Sequence, residues 1–558
     1  MRALSKHMLV ILVTAAAITV VLRALPVHTE PSAPAQRAIP PFSVCSKNLD
    51  IASLLPGGTS VDPDVVAANR YFDSTESDLI QQASSASHLD QYRQLTLLGK
   101  VAIFDKTLSP AKNLACESCH THYVGFTSAS SVLNATIVAQ PGSATVMNAV
   151  SPAPNYRLSA RKPQSYAYAA FAPILHYNAT QGDLYGGNFW DMRATGVRLG
   201  NPAAEQAEGP PTNPLEMANP DGACFVWKVS QRPYRSIVEA LWGAQSFAIN
   251  WPTNIESVCA KPGPPPQHDP YPVHLSPNDR AQSTSTFDHI ALAMATYESS
   301  PDVSPFSSKF DAYLAGRAQL TPEEKRGYEL FNGKAHCNQC HSSGAAVDEG
   351  VRKAADVAPL FTDFTSANLG LPRNLALPFY CESKPDQSGY IANPQGFDYK
   401  DLGVGAMLAG SNNPNPAEWQ QLAPQFNGKF RVPTTRDVDM RPRPDFIKAY
   451  MHNGYLKNLK EVVHFYNTSK VLPRCAQGSP GEKVTCWPEP EVPENVTQKI
   501  GNLGLTNEEE DDVVSFLKTL TDGFLPMSDT SAARNNNSSP EHGLLYNASK
   551  EKENRSGK

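Results

Sequence analysis

Apolar residues fall into a few short runs along this chain, separated by long polar and proline-rich stretches. The longest run extends from Met8 to Leu22, with Arg2 and Lys6 before it and Arg23 behind it. A basic start followed by an apolar middle predicts an export signal over residues 1–24. The run is short for a bilayer span, which takes about 20 apolar residues, so it reads as a cleaved signal peptide or a retained N-terminal anchor. Leu22-Arg23-Ala24-Leu25-Pro26 is a poor small-x-small cleavage pattern. A Pro-rich spacer from Pro26 to Pro41 follows, within a linker over residues 25–60.

Further along, helical spacing takes over. Leu98 to Asp105 and Gly327 to Phe331 each predict a short apolar helix. The second has a clear start, with Thr321 as N-cap, Pro322 at the first helical position and Glu324 placed to close a capping box. From Asn507 to Leu520, after Thr506, the side chains of Val513, Phe516, Leu517 and Leu520 share one face. Glu509 holds the capping-box position there and Gly523 is a stop. Thr286 to Tyr297 predicts another helix, just past the Pro-rich segment Lys261 to Pro277 that marks a domain boundary. That helix can pack back on the region before it, so the boundary is approximate. The expected organisation is a first domain over 61–277, a second over 278–525, and a polar, disordered tail over 526–558.

Size and composition narrow this picture. A chain of 558 residues is too long for one ordinary core. With 41% apolar and 18% charged residues it is a folded body, and a net charge of −6 argues against nucleic acid as the main partner. The 48 prolines predict long ordered loops between short helices instead of extended sheet. The expected fold class is mostly α.

Chemistry enters with the cysteines. Of 10, four form two C-x-x-C-H motifs: Cys116, Cys119 and His120, then Cys337, Cys340 and His341. Two thiols at this spacing reach the two vinyl groups of one haem, and the adjacent His then sits beneath the iron as proximal ligand. A redox dithiol and half of a zinc site are the rival readings of such a pair. A His directly after both pairs, in an exported chain without thioredoxin-like strand context, favours two covalently bound haems c. Cys45, Cys224, Cys259, Cys381, Cys475 and Cys486 remain, an even number that can close three disulfides in an oxidising compartment. Cys475 with Cys486 is the most local pairing.

Longer segments carry a family resemblance. Gly186-Gly187-Asn188-Phe189-Trp190-Asp191-Met192-Arg193-Ala194, then Glu205-Gln206-Ala207-Glu208-Gly209-Pro210 and Asn213-Pro214-Leu215-Glu216-Met217, resemble segments of the bacterial dihaem cytochrome c peroxidase and MauG family. So do Arg431-Val432-Pro433-Thr434-Thr435-Arg436, Tyr450-Met451-His452-Asn453-Gly454 and Leu459-Lys460-Glu461-Val462-Val463-His464-Phe465-Tyr466-Asn467. The matches keep the family's order from about Leu98 to Leu520. The resemblance implies two cytochrome c-like (class I) haem domains, the N-terminal one carrying the peroxidatic haem and the C-terminal one the electron-transfer haem.

By that resemblance the first haem, held by Cys116, Cys119 and His120, binds peroxide. Glu216 lies on its open side as acid–base group, and Gln206 and Pro210 line the same pocket. Trp190 matches the tryptophan between the haems. The bland readings are a surface acid for Glu216 and a core aromatic for Trp190. Met192 stands where the family has Gly, and residues are inserted around Thr195 to Pro202, so the local backbone is expected to differ. At the second haem, Tyr466 holds the position that is Met in ordinary members and Tyr in the MauG branch. A phenolate there lowers the reduction potential and stabilises higher iron oxidation states. Met451 or Met440 is the rival ligand, with Tyr466 a packed aromatic. His452 matches a family His near the second haem, against a structural imidazole as the bland reading. Thr136 replaces the His that blocks the peroxide site in typical members, and the only nearby His is His122. The first haem is therefore expected to be open without prior reduction. Lys162-Pro163-Gln164-Ser165-Tyr166-Ala167 lacks the Asn through which the family often holds Ca²⁺, so calcium is allowed but not predicted.

The resulting expectation is a periplasmic dihaem oxidoreductase, with anchoring at the inner membrane if the signal is retained. It would reduce hydrogen peroxide with electrons from a small donor protein, a c-type cytochrome or a cupredoxin. A MauG-like oxidase that modifies a protein substrate through a high-valent bis-haem state is the first alternative. A non-catalytic dihaem electron carrier is the second, and a substrate-oxygenating relative a more distant one.

Overall fold

Short helices joined by long loops make up most of the computed structural model, which describes residues 63–136, 157–343, 358–386, 388–411 and 413–525. The expected signal or anchor, the linker over 25–60 and the tail over 526–558 lie outside the described residues. So does Cys45. Among the described residues no helix is long and apolar enough to cross a membrane.

The helices are α1 (Pro63–Ala83), α2 (Gln91–Phe104), α3 (Ser131–Thr136), α4 (Pro202–Thr212), α5 (Gly222–Ser230), α6 (Arg235–Trp242) and α7 (Ile255–Cys259). After them come α8 (Pro277–Glu298), α9 (Lys309–Leu314), α10 (Pro322–Asn332), α11 (Val404–Ala409), α12 (Pro416–Phe426), α13 (Leu459–Thr468) and α14 (Asn507–Lys518). Among the described residues strand is confined to two small antiparallel pairs. β1 (His176–Asn178) pairs β2 (Asp183–Tyr185) with His176 opposite Tyr185, and β3 (Ser366–Ala367) pairs β4 (Phe430–Arg431) with Ser366 opposite Arg431.

Local chemistry explains the clearest helix starts. The Thr321 hydroxyl accepts from Glu324 N at 3.3 Å while the Glu324 carboxylate accepts from Thr321 N at 2.8 Å, so two otherwise orphaned amides are satisfied at the head of α10. Thr506 and Glu509 do the same for α14, at 3.2 and 2.8 Å. α8 starts earlier than its apolar spacing predicts. Ser276 caps it, accepting from Asp279 N at 3.1 Å, and Pro277 sits at its first position, so the last proline of the Pro-rich segment opens a helix.

Two large apolar clusters form, each beside one C-x-x-C-H motif. The first joins Leu98, Val101 and Phe104 of α2 to Ile290, Met294 and Tyr297 of α8, together with Phe225 and Val229. The second gathers Phe310, Phe331, Phe361, Phe465, Trp487 and Phe516. Both are built on a close helix crossing at a glycine. A Cβ on Gly99 of α2 would lie 2.1 Å from the Ala293 carbonyl oxygen of α8. A Cβ on Gly327 of α10 would lie 1.9 Å from the Asp512 carbonyl oxygen of α14. α8 thus packs back on the helix that leads into the first motif.

Crosslinks and a clasp complete the frame. Disulfides join Cys224 to Cys259 and Cys475 to Cys486, the second being the local pairing expected from sequence, and Cys381 is also disulfide-bonded. The last described turn folds back on the middle of the chain. Asp522 accepts from Ser307 N at 2.7 Å and from the Tyr168 hydroxyl, and Phe524 N donates to Ser307 O at 3.0 Å.

Candidate functional site: two clefts that share a wall

Each C-x-x-C-H motif sits on a single 3₁₀ turn just after a helix of the glycine crossing. Cys116–Ser118 follows α2 and Cys337–Gln339 follows α10. The four motif cysteines are free. Burial pushes Cys119 and Cys337 up to about 12 and Cys340 up to about 11, and raises Cys116 as well. Reactive dithiols keep one thiol acidic, and these are the opposite. Among the described residues no group of three or more His, Cys, Asp or Glu is placed to hold a metal ion by itself.

The motif histidines are held alike. His120 Nδ1 lies 3.3 Å from the Phe126 carbonyl, and His341 Nδ1 lies 3.1 Å from the Phe361 carbonyl. A carbonyl only accepts, so Nδ1 carries the proton and Nε2 is left as a lone-pair donor. Burial lowers His120 to about 4 and lowers His341 too, keeping both imidazoles neutral. Two thiols and a neutral, backbone-oriented imidazole on the wall of a deep cleft are the donor set that a haem c requires, and the residues fit that group at both places.

The first cleft brings together Cys116, Cys119, His120, Gln206, Glu216 and Trp190. Pro210 lines it as well. Glu216 stands on a tight turn after α4, where Asn213 Nδ2 donates to its carboxylate at 2.6 Å. Burial raises its pKa, and the Arg193 charge and the Asn213 bond pull it back part of the way. The inserted segment around Thr195 to Pro202 is tied down by Glu205, which accepts from the amides of Gly196, Arg198 and Leu199 at 2.7, 2.6 and 3.0 Å. The next residue is Gln206, so the insertion ends in a fixed anchor. At Met192 the backbone takes a left-handed conformation, φ +60°, which costs a side chain about 1–2 kcal/mol and a glycine nothing. The Met192 side chain is fully buried with Leu184 and Trp419, which offsets that strain.

The second cleft brings together Cys337, Cys340, His341, Tyr466, His452 and Trp190. Burial raises the Tyr466 phenol above its ordinary value. Met451 also lines this cleft, whereas Met440 is not among its lining residues. His452 stacks on Phe430, 3.5 Å between ring centroids, and its Nε2 is enclosed without a partner.

Trp190 belongs to both clefts. Its indole Nε1 donates to the Lys162 carbonyl at 3.0 Å, and its own carbonyl accepts from Arg431 N at 2.8 Å. An ion network crosses the same wall. Arg193 pairs with Asp191 at 2.9 Å, Asp191 with Arg161 at 2.7 Å, and Arg161 with Asp401, which lines the second cleft.

Sequence reading missed Arg161, Asp401 and Glu298. The first two are lone charges far apart in the chain, with no motif to mark them. Glu298 is 3% exposed and lines the first cleft, where burial pushes it up to about 8. It is the last residue of α8, one step beyond the predicted end of that helix. Thr136 ends α3 and is not among the residues lining the first cleft. His122 is turned away from that cleft, its Nε2 3.3 Å from the Asp302 carbonyl. The stretch that matches the family's calcium segment faces a third cavity lined by Lys162, Arg431, Arg436 and Lys448, with Asp437 as its carboxylate. A wall so rich in cations does not fit a hard divalent cation, which needs several anionic or carbonyl oxygens.

The family profile for di-haem cytochrome c peroxidase matches residues 93–319. The methylamine utilization protein MauG of Paracoccus denitrificans (strain Pd 1222) is 30% identical over 432 residues, covering 77% of this chain and 88% of that protein. Cytochrome-c peroxidase IdrP1 of Denitromonas iodatirespirans is 29% identical over 234 residues, 41% of this chain and 48% of the relative. Among solved structures, the diheme peroxidase BthA of Burkholderia thailandensis E264 superposes with a TM-score of 0.53 at 25% identity, over 77% of this chain and 86% of that one.

Proposed function

The chain belongs to the di-haem cytochrome c peroxidase and MauG family, and on that premise we propose that it reduces hydrogen peroxide in its first cleft with electrons from an external donor. The observation that carries this reading is that Glu216 and His120 line one cleft. Cys116, Cys119 and His120 would hold a haem there, and that group would supply the redox chemistry that takes up the oxidising equivalents of peroxide.

The chain's own residues do the rest. Glu216 takes a proton from the incoming peroxide and returns it to the leaving oxygen, so the O–O bond breaks with water as product. In balance, one peroxide, two electrons and two protons give two waters. Gln206 orients the peroxide beside Glu216. In the second cleft Cys337, Cys340 and His341 would hold the other haem, with Tyr466 as a further ligand to it, and Trp190 couples the clefts. His452 stacks beside the second site as a positioning group. Two cytochrome c-like domains, over 61–277 and 278–525, and a periplasmic location complete the reading. The donor is a small c-type cytochrome or cupredoxin.

The test is to mix the matured protein with peroxide and a reduced small cytochrome. Rapid oxidation of the cytochrome supports the peroxidase. A second reading, a MauG-like oxidase whose reductant is a protein side chain, draws on Tyr466 and on Thr136 standing where typical members have the blocking His. Peroxide consumption without cytochrome oxidation would favour it. A chain inert to peroxide would be a dihaem electron carrier.

A further inference from the structure

Cations without counter-charges stand in the wall between the two clefts. Arg431, on β4, is 4% exposed and lines both the second cleft and the small cavity beneath Trp190. Its amide is fixed to the Trp190 carbonyl, yet its guanidinium makes no ion pair or hydrogen bond with any described residue, and Nε is enclosed without a partner. The Phe364 ring lies under it, 5.7 Å from its Cζ. Lys162 lines the first cleft and the same small cavity, and its ammonium donates only to the neighbouring Pro163 carbonyl, at 3.0 Å. Gln164 Nε2, in the same lining, is likewise enclosed without a partner.

The contrast with the adjacent arginines is instructive. Arg161 grips both oxygens of Asp401, and Arg436 grips both oxygens of Asp311 at 2.9 and 2.8 Å. Carboxylates meet the buried guanidinium groups of Arg161 and Arg436, whereas none of the described residues supplies one at Arg431 or Lys162. A buried, unpaired cation costs several kcal/mol, so its counter-charge has to come from elsewhere. Each haem c carries two propionate carboxylates, planar groups that a guanidinium binds bidentately.

We infer that Arg431 holds a propionate of the haem in the second cleft and Lys162 a propionate of the haem in the first, so that the wall at Trp190 anchors the carboxylate edges of both cofactors. This rests on the reading that haem c occupies both clefts. Neither residue touches the reacting atoms in this account; both position the cofactor and set its local field.

The experiment uses full-length protein matured with haem and the variants Arg431→Gln, Arg431→Lys and Lys162→Gln. Intact mass counts covalent haems, spectroelectrochemistry gives the two midpoint potentials, and resonance Raman follows the propionate-bending bands. Arg431→Gln is expected to lower the potential of the second haem and shift its propionate band. Arg431→Lys should keep the potential near its native value while still shifting the band, because the charge stays and the bidentate fork is lost. Lys162→Gln should lower the potential of the first haem alone. If Arg431→Gln does not mature, the Lys variant's band and the Lys162→Gln potential decide the matter. Variants fully loaded with haem whose potentials and bands are unchanged overturn the inference and leave the dihaem reading standing. A native protein that matures without two covalent haems overturns both.

Discussion

Arg161 holds Asp401 with two parallel hydrogen bonds, Nε at 2.7 Å and Nη2 at 2.8 Å, although the two residues stand 240 positions apart in the chain. Arg161 lines the first cleft and Asp401 the second, so this pair binds the clefts to each other. Burial alone would raise the Asp401 carboxyl, but the Arg161 charge and its hydrogen bonds bring it from 3.8 down to about 2.

A folded-state pKa below the unfolded value means stability that is complete above pH 3.8 and lost as pH falls through about 2. Asp401→Asn is expected to cost about 3 kcal/mol at neutral pH, because Arg161 loses its bidentate partner inside the protein. Urea unfolding at pH 7 and pH 3 checks this. The native protein should lose more stability between those two pH values than the variant does, and equal losses would mean that the pair contributes nothing to acid sensitivity.

Glu216→Gln removes the proton carrier but keeps the shape of the cleft. We expect kcat/KM for peroxide to fall by about 10²–10⁴, with haem content and resting spectrum unchanged. A variant as fast as native would assign Glu216 to the wall instead of the chemistry.

Tyr466→Phe should change the low-spin signal of the second haem in low-temperature electron paramagnetic resonance of the oxidised protein. In the native protein we expect one high-spin and one low-spin ferric signal, both lost with one equivalent of peroxide. Retention of the native low-spin signal in the variant would point to Met451 as the axial group.

Gly99→Ala and Gly327→Ala each place a methyl group against a backbone carbonyl that cannot move aside, so each should separate one helix pair. Overpacking of this kind costs about 1–3 kcal/mol or more. Thermal unfolding would show it, and the two variants should differ in which haem loses its native spectrum. An unchanged melting temperature would mean that the helices slide apart without penalty.

What the sequence made legible was local. The capping boxes at Thr321 and Thr506 form within four residues, and the structure keeps both. The two C-x-x-C-H motifs are local in the same way, each set on one short turn whose cysteines and His line one cleft. The start of α8 escaped notice because Ser276 and Pro277 close a Pro-rich segment, and only packing on α2 shows that the proline begins a helix. Arg161 and Asp401 carry no pattern at all, and the segment that holds Arg431 marks a resemblance without showing what its guanidinium faces. Their meaning comes from meeting at one wall, through contacts between distant parts of the chain that no local spacing encodes.

The clasp at Asp522 joins three stretches that are far apart in the chain. Asp522 accepts from the Tyr168 hydroxyl and from Ser307 N, so the segment after α14 is fastened both to the stretch after the first C-x-x-C-H motif and to the loop after α8. One carboxylate thus satisfies a buried phenol and a backbone amide together, and its loss would leave both donors without that acceptor. A contact that looks like the tying down of the last described turn is a brace between the parts that carry the two motifs.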